Sequence, residues 1–120
     1  MARTLVVKVT CGADDPERCN QAFTVAAAAA AAGADVSLWL TGDAAWFGVP
    51  GRAEEFALDL ATPLADLLAT VVELGTVTVC TQCAARRGLV AADLRDGVEI
   101  AGAAVFAEQV LGEGVQALVY

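Results

Sequence analysis

There is no histidine anywhere in the 120 residues. That absence excludes Ser-His-Asp and Cys-His catalysis within the chain, and it removes imidazole from any metal site the chain builds alone. Positive charge is scarce as well: seven Lys and Arg stand against 15 Asp and Glu, a formal charge of −8 at pH 7. A surface of that sign repels phosphate, and Arg86-Arg87 is the only adjacent basic pair, so nucleic acid is not an expected partner. Long apolar runs are missing too. The longest, Val25 to Ala34, is about ten residues, nearly all Ala and Gly, against the ~18 to 20 that a membrane span needs. No membrane association is expected. Met1-Ala2-Arg3-Thr4-Leu5 passes straight into a strand pattern without an apolar segment and cleavage site, so nothing there resembles a secretory signal and a cytoplasmic location is expected.

Apolar residues are nonetheless abundant, at 58% against 18% charged, with a mean hydropathy of +0.60. With no membrane span to absorb them, the excess points to surface buried between subunits, and a homo-oligomer is expected. The length suits a single domain over residues 1–120.

Thr4 to Thr10 is a β-branched run ended by Cys11-Gly12 and reads as the first and central strand. Asp15 stands as an N-cap with Pro16 at the first helical position, and from Glu17 to Ala32 propensity favours helix, with Phe23 its one large apolar anchor. Gly33 closes that helix before a strand at Val36–Leu40. Ala44 to Ala61 is the least regular stretch and carries Trp46, Phe47 and Phe56, so it reads either as a cover over a site or as a plug for the end of the core. Thr62 and Pro63 read as the cap and first position of an amphipathic helix in which Leu64, Leu67, Leu68, Val71 and Val72 share a face, stopped at Gly75. Beyond a strand ending at Val79, Leu89–Leu94 reads as a short helix and Val98–Ile100 as a brief strand. Ala103 to Leu111 reads as a helix and Val115–Tyr120 as the last strand. Strands and helices alternate throughout, which calls for an α/β fold with a parallel sheet covered by helices on both faces.

Chemistry concentrates between Thr76 and Gly88. Alternating Thr and Val form a strand, Ala84, Ala85, Arg86 and Arg87 favour helix, and Gly88 is a natural stop. Cys80 then occupies the corner where strand becomes helix, the place where open α/β sheets put ligands. The free N–H groups and positive end of the helix favour a thiolate there, and a thiolate is the nucleophilic form. Cys83 follows one turn into the helix. Arg86, Arg87, Gln82 and Cys11 are the supporting candidates, with the arginines on the face of Cys83 and expected to matter less to Cys80 than the helix end does. The aromatic stretch from Trp46 to Phe56 is expected near this corner, because loops after successive parallel strands share one sheet edge.

Three readings of the cysteines stay open. A thioredoxin-type dithiol site places a later proline against the sulfurs, but Pro16, Pro50 and Pro63 all precede Cys80. A four-cysteine metal or iron–sulfur site would need Cys11 and Cys19; their spacing is not that of a zinc knuckle, although Cys11 also ends a strand and is placed to face Cys80. Inert packing of all four thiols in a non-catalytic oligomeric or ligand-binding protein is the third. No cofactor and no metal is expected.

The opening strand running to Thr10-Cys11-Gly12-Ala13-Asp14-Asp15-Pro16-Glu17-Arg18, the alanine-rich helix to Ala32-Gly33-Ala34-Asp35-Val36, and Leu40-Thr41-Gly42-Asp43-Ala44 together resemble the DsrE/DsrF-like family of small sulfur-relay proteins. The most specific match is Cys80 followed by Arg86-Arg87-Gly88, where relay members carry a single sulfur-accepting cysteine. Cys83 lies outside the relay pattern, and its presence leaves relay and dithiol redox both open. The resemblance implies an α/β/α sandwich with a five-stranded parallel sheet, a homotrimer or homohexamer, and a sulfur donor and acceptor protein as partners. Its implied activity is that of a sulfurtransferase or persulfide carrier using Cys80.

Overall fold

The computed structural model describes residues 2–120. The β-branched runs form five strands: β1 (Thr4–Val9), β2 (Asp35–Leu40), β3 (Thr76–Cys80), β4 (Val98–Ala101) and β5 (Gln116–Val119). All pairings are parallel, in the order β4-β3-β2-β1-β5. The middle strand is therefore β2, not the Thr4–Thr10 strand expected to be central. β1 is interior but one place from the edge, because the first three crossovers all step the same way and only β5 returns to its other side.

That reversal distributes the helices. Right-handed crossovers stepping in one direction leave their helices on one face, and a step back puts the next helix on the other. α1 (Pro16–Ala31) and α3 (Leu64–Leu74) accordingly pack on each other over one face. There Val7, Val9, Val36, Leu38, Leu40, Val77 and Val79 join Phe23 and Leu68 in the buried core. The residues between them, Val6, Lys8, Ser37, Trp39, Thr76, Thr78 and Cys80, alternate to the second face. α5 (Ala103–Val110) covers that face: Phe106 meets Trp39 edge-on at 5.3 Å, and the Gln109 Oε1 accepts from Ser37 Oγ and Trp39 Nε1. The cover is thin. No α5 residue is fully buried, and Val105, Leu111 and Val119 are exposed, as is Leu118 of the edge strand β5.

Several local expectations need correction. Asp15 does occupy the cap of α1, but its carboxylate makes no capping bond and pairs with Arg18 instead. α3 begins at Leu64 with Pro63 as its cap; Pro63 keeps an extended ψ, and its carbonyl accepts from the Asp66 and Leu67 N–H groups, so Thr62 lies outside the helix. Residues 89–94 hold a single 3-10 turn, Ala91–Asp93, rather than a helix. Residues 44–61 are more regular than expected, with a 3-10 helix at Gly42–Gly48 and the short helix α2 (Arg52–Glu55). Glycine permits that 3-10 helix: Gly42 has φ +54°, and a Cβ there would press into the carbonyl of Thr10. Within this stretch Phe47 is buried and stacks edge-on with Phe23 at 5.9 Å and Phe56 at 5.7 Å, plugging the end of the core. Among the described residues, no helix is long and apolar enough to cross a membrane.

Phe23 is the fully buried member that α1 contributes to that aromatic cluster, and the one large apolar side chain of the helix. Phe23→Ala is expected to destabilise the fold by about 3–5 kcal/mol. Urea unfolding followed by circular dichroism reads this directly, and an unchanged midpoint would show that the cluster does not hold α1 to the sheet.

Candidate functional site

β3 ends at Cys80, which keeps extended angles (φ −64°, ψ 132°), and Thr81 begins α4 (Thr81–Arg86). Cys80 is thus the cap residue of a helix whose first N–H groups have no partners within the helix. The backbone N–H groups of Cys83 and Gln82 and the Cys83 thiol lie nearest its sulfur, although no capping hydrogen bond closes onto it. Partial burial pushes the Cys80 thiol up; these groups of Cys83 and Gln82, with the Lys8 ammonium, outweigh it and leave the thiol below its ordinary range. The Gln82 contribution is a backbone one, since its side chain is exposed.

Cys83 is buried one turn inside α4, where Gly42 N–H donates to its Sγ at 3.2 Å. The two arginines behave differently. Arg87 donates from Nη1 to the Cys83 carbonyl at 3.1 Å and from Nη2 to Asp43 Oδ1 at 2.7 Å, which ties α4 to the turn following β2. Arg86 is exposed. The Gly42–Gly48 turn therefore touches the corner directly, through Gly42 and Asp43. A cavity of about 190 Å³ opens beside it, lined by Asp43, Trp46, Phe47, Arg52, Glu55 and Phe56, with the Arg52 guanidinium 4.4 Å above the Trp46 ring.

All four cysteines are free, and they fall into two environments. Cys11 is brought to Cys19 in the α1 core. Burial raises the Cys11 thiol, Asp15 and Asp14 raise it further, and Arg18 opposes them. Cys19 is pushed up to about 12 by burial first, then by Cys11, Asp14 and Asp15. These thiols stay protonated at neutral pH. Among the described residues, no group of three His, Cys, Asp or Glu side chains gathers to hold a metal.

Lys8 is the residue that sequence reasoning missed. Its signal was present, as the one charge inside the otherwise uncharged Thr4–Val9 strand. Its relation to Cys80 depends on β1 and β3 being aligned across β2, which spacing along the chain does not reveal.

At pH 7, limiting iodoacetamide is expected to label Cys80 first and to leave Cys11 and Cys19 unlabelled until the chain is unfolded. Peptide mass spectrometry separates the sites, since Cys80 ionises at lower pH than a free thiol and Cys19 at far higher pH. Labelling of Cys19 ahead of Cys80 in the folded protein would invert the assignment.

The profile of the DsrE/DsrF-like family matches residues 4–118. Among solved structures, the YchN protein of E. coli superposes with a TM-score of 0.80 at 22% identity, covering 100% of each chain. A protein of unknown function from Methanobacterium thermoautotrophicum, MTH1491, gives a TM-score of 0.67 at 10% identity, again over 100% of both chains. A conserved protein of unknown function from Bacteroides thetaiotaomicron, BT1422, gives 0.60 at 16% identity over 98% of this chain and 95% of that one. At these identities the likeness is one of fold. Comparison with curated proteins yields no significant match.

Proposed function

The chain belongs to the DsrE/DsrF-like family, and on that premise we propose that it carries sulfur as a persulfide on Cys80, with Cys83 as its second thiol. The observation that supports this reading is the capping position of Cys80, which combines partial exposure with a place beside the free N–H end of α4, where the thiol lies below its ordinary range. A relay nucleophile needs both ionisation and access. The Cys80 thiolate attacks the outer sulfur of a donor persulfide; a new S–S bond forms at Cys80, the donor S–S bond breaks, and the donor leaves as a thiolate with the electron pair. An acceptor thiolate then takes the outer sulfur by the same exchange. No net oxidation occurs and no cofactor is required. Donor and acceptor proteins in a reducing cytoplasm are part of this reading, and nucleic acid and membrane are not.

A second outcome is favoured by proximity, since the Cys83 thiol is among the groups that lower the Cys80 thiol. Cys83 then attacks the inner sulfur of the Cys80 persulfide, forming a Cys80–Cys83 disulfide and releasing hydrosulfide. The two cysteines are oxidised and the sulfane sulfur is reduced. Burial of Cys83 and its hydrogen bond from Gly42 oppose this path by holding its sulfur in place.

Incubation with inorganic polysulfide followed by intact mass spectrometry tests the proposal. Cys83→Ser is expected to retain one added sulfur and Cys80→Ser to retain none. Sulfur retained by Cys80→Ser but not by Cys83→Ser would exchange their roles, and equal retention in both variants and the wild type would make the corner structural.

The proposal extends to assembly as a homotrimer or homohexamer. Exposed Val105, Leu111, Leu118 and Val119 on the thinly covered face and edge are the surface that assembly would bury. Light scattering at micromolar concentration is expected to give a multiple of the chain mass, and a strictly monomeric mass removes this part.

A further inference from the structure

On the second face of the sheet, Lys8 of β1 lies beside Trp39 of β2, and Trp39 beside Thr78 of β3, two residues before Cys80. These residues all project toward α5. A lysine in this position is costly to keep, because its long side chain loses rotamer freedom and part of its hydration. What holds it is aromatic. The Lys8 ammonium sits 5.0 Å from the centroid of Phe106, and Phe106 is itself set edge-on against Trp39, a side chain 1% exposed. No carboxylate neutralises it, since the salt bridges among the described residues join Arg18 to Asp15 and Arg87 to Asp43.

We propose that Lys8, braced on Phe106, is the positioning cation for anionic sulfur on Cys80. This rests on the reading of Cys80 as a sulfur carrier and deepens it. Thiolate and terminal persulfide sulfur are both anions, and the persulfide extends the charge by one S–S bond, about 2 Å, from the corner. The helix end serves the inner sulfur. An ammonium braced on the same sheet face adds its field to whichever sulfur carries the charge, at a site short of positive groups. The other charged groups on this side are Asp35 at the start of β2, Glu99 on β4 and Glu108 on α5, whose sign opposes a thiolate. Tyr120 packs toward the core on the opposite face. Arg86 and Arg87 belong to α4, and Arg87 is committed to Asp43.

The test is the pH profile of iodoacetamide reaction at Cys80 in the full chain, read by peptide mass spectrometry, with polysulfide loading measured in parallel. Lys8→Met is expected to move the profile to higher pH and slow the reaction at pH 7 about threefold. Lys8→Arg should stay near wild type, and 1 M salt should shrink the Lys8→Met difference. Phe106→Leu keeps the charge but removes its brace, and should fall between wild type and Lys8→Met. Superimposable profiles for Lys8→Met and wild type would overturn the proposal, as would a Lys8→Arg protein that behaves like Lys8→Met, because packing would then explain the effect. A Phe106→Leu profile identical to wild type would overturn the brace. The two readings fail separately. A shifted profile in a protein that never loads sulfur leaves Lys8 standing and removes the carrier function, whereas loading with an unshifted profile does the reverse.

Discussion

An α-helix that starts abruptly after a strand leaves its first N–H groups without partners, and at α4 the residue standing in front of those groups is a cysteine whose thiol they lower. Much of the local architecture keeps that arrangement in place. Arg87 anchors α4 to Asp43 and to the Cys83 carbonyl, and Gly42 N–H fixes the Cys83 sulfur. α4 is only six residues long, too short to stand on its own hydrogen bonds. The contacts from the Gly42–Gly48 turn replace the length it lacks. The corner is thus a joint between two loops as much as a helix terminus.

The two pairs of thiols show how one residue type takes opposite character from its surroundings. Cys19 sits in a fully buried helix face beside aspartates, where an anion has neither water nor donors, and its proton is held to about pH 12. Cys80 is also partly desolvated, but the helix end lies beside it. Burial alone therefore does not set the acidity of a covered thiol; nearby N–H groups and a cation act against it.

The alternation of strands and helices was legible along the chain because β-branched runs and alanine-rich or amphipathic stretches have distinct periods. So was Cys80 at the corner, since the Thr-Val alternation ends there and helix formers follow within a few residues. What the chain order concealed was lateral. Strand order decides that β2 rather than β1 is central, that Lys8 shares a face with Cys80, and that Cys11 meets Cys19. The distinct uses of Arg86 and Arg87 were equally hidden, because they depend on where Asp43 falls after folding. Cap positions misled for a simpler reason. Asp15 and Thr62 have the right chemistry, but the proline beside each already sets the backbone entry and no side-chain bond forms.

The strand order also sets when the sheet can be finished. β1 through β4 lie side by side in the order they are made, so each new strand finds its neighbour already present. β5 is the exception. It belongs beside β1, with Leu5 aligned to Gln116 and Lys8 to Val119, across nearly the whole sequence. During synthesis the outer edge of β1 thus waits, with unpaired backbone groups along an apolar strand, until β5 has cleared the ribosome. α5 is made just before β5 and after the four strands β1 to β4, so the face carrying Lys8 and Cys80 acquires its cover later than the face beneath α1 and α3.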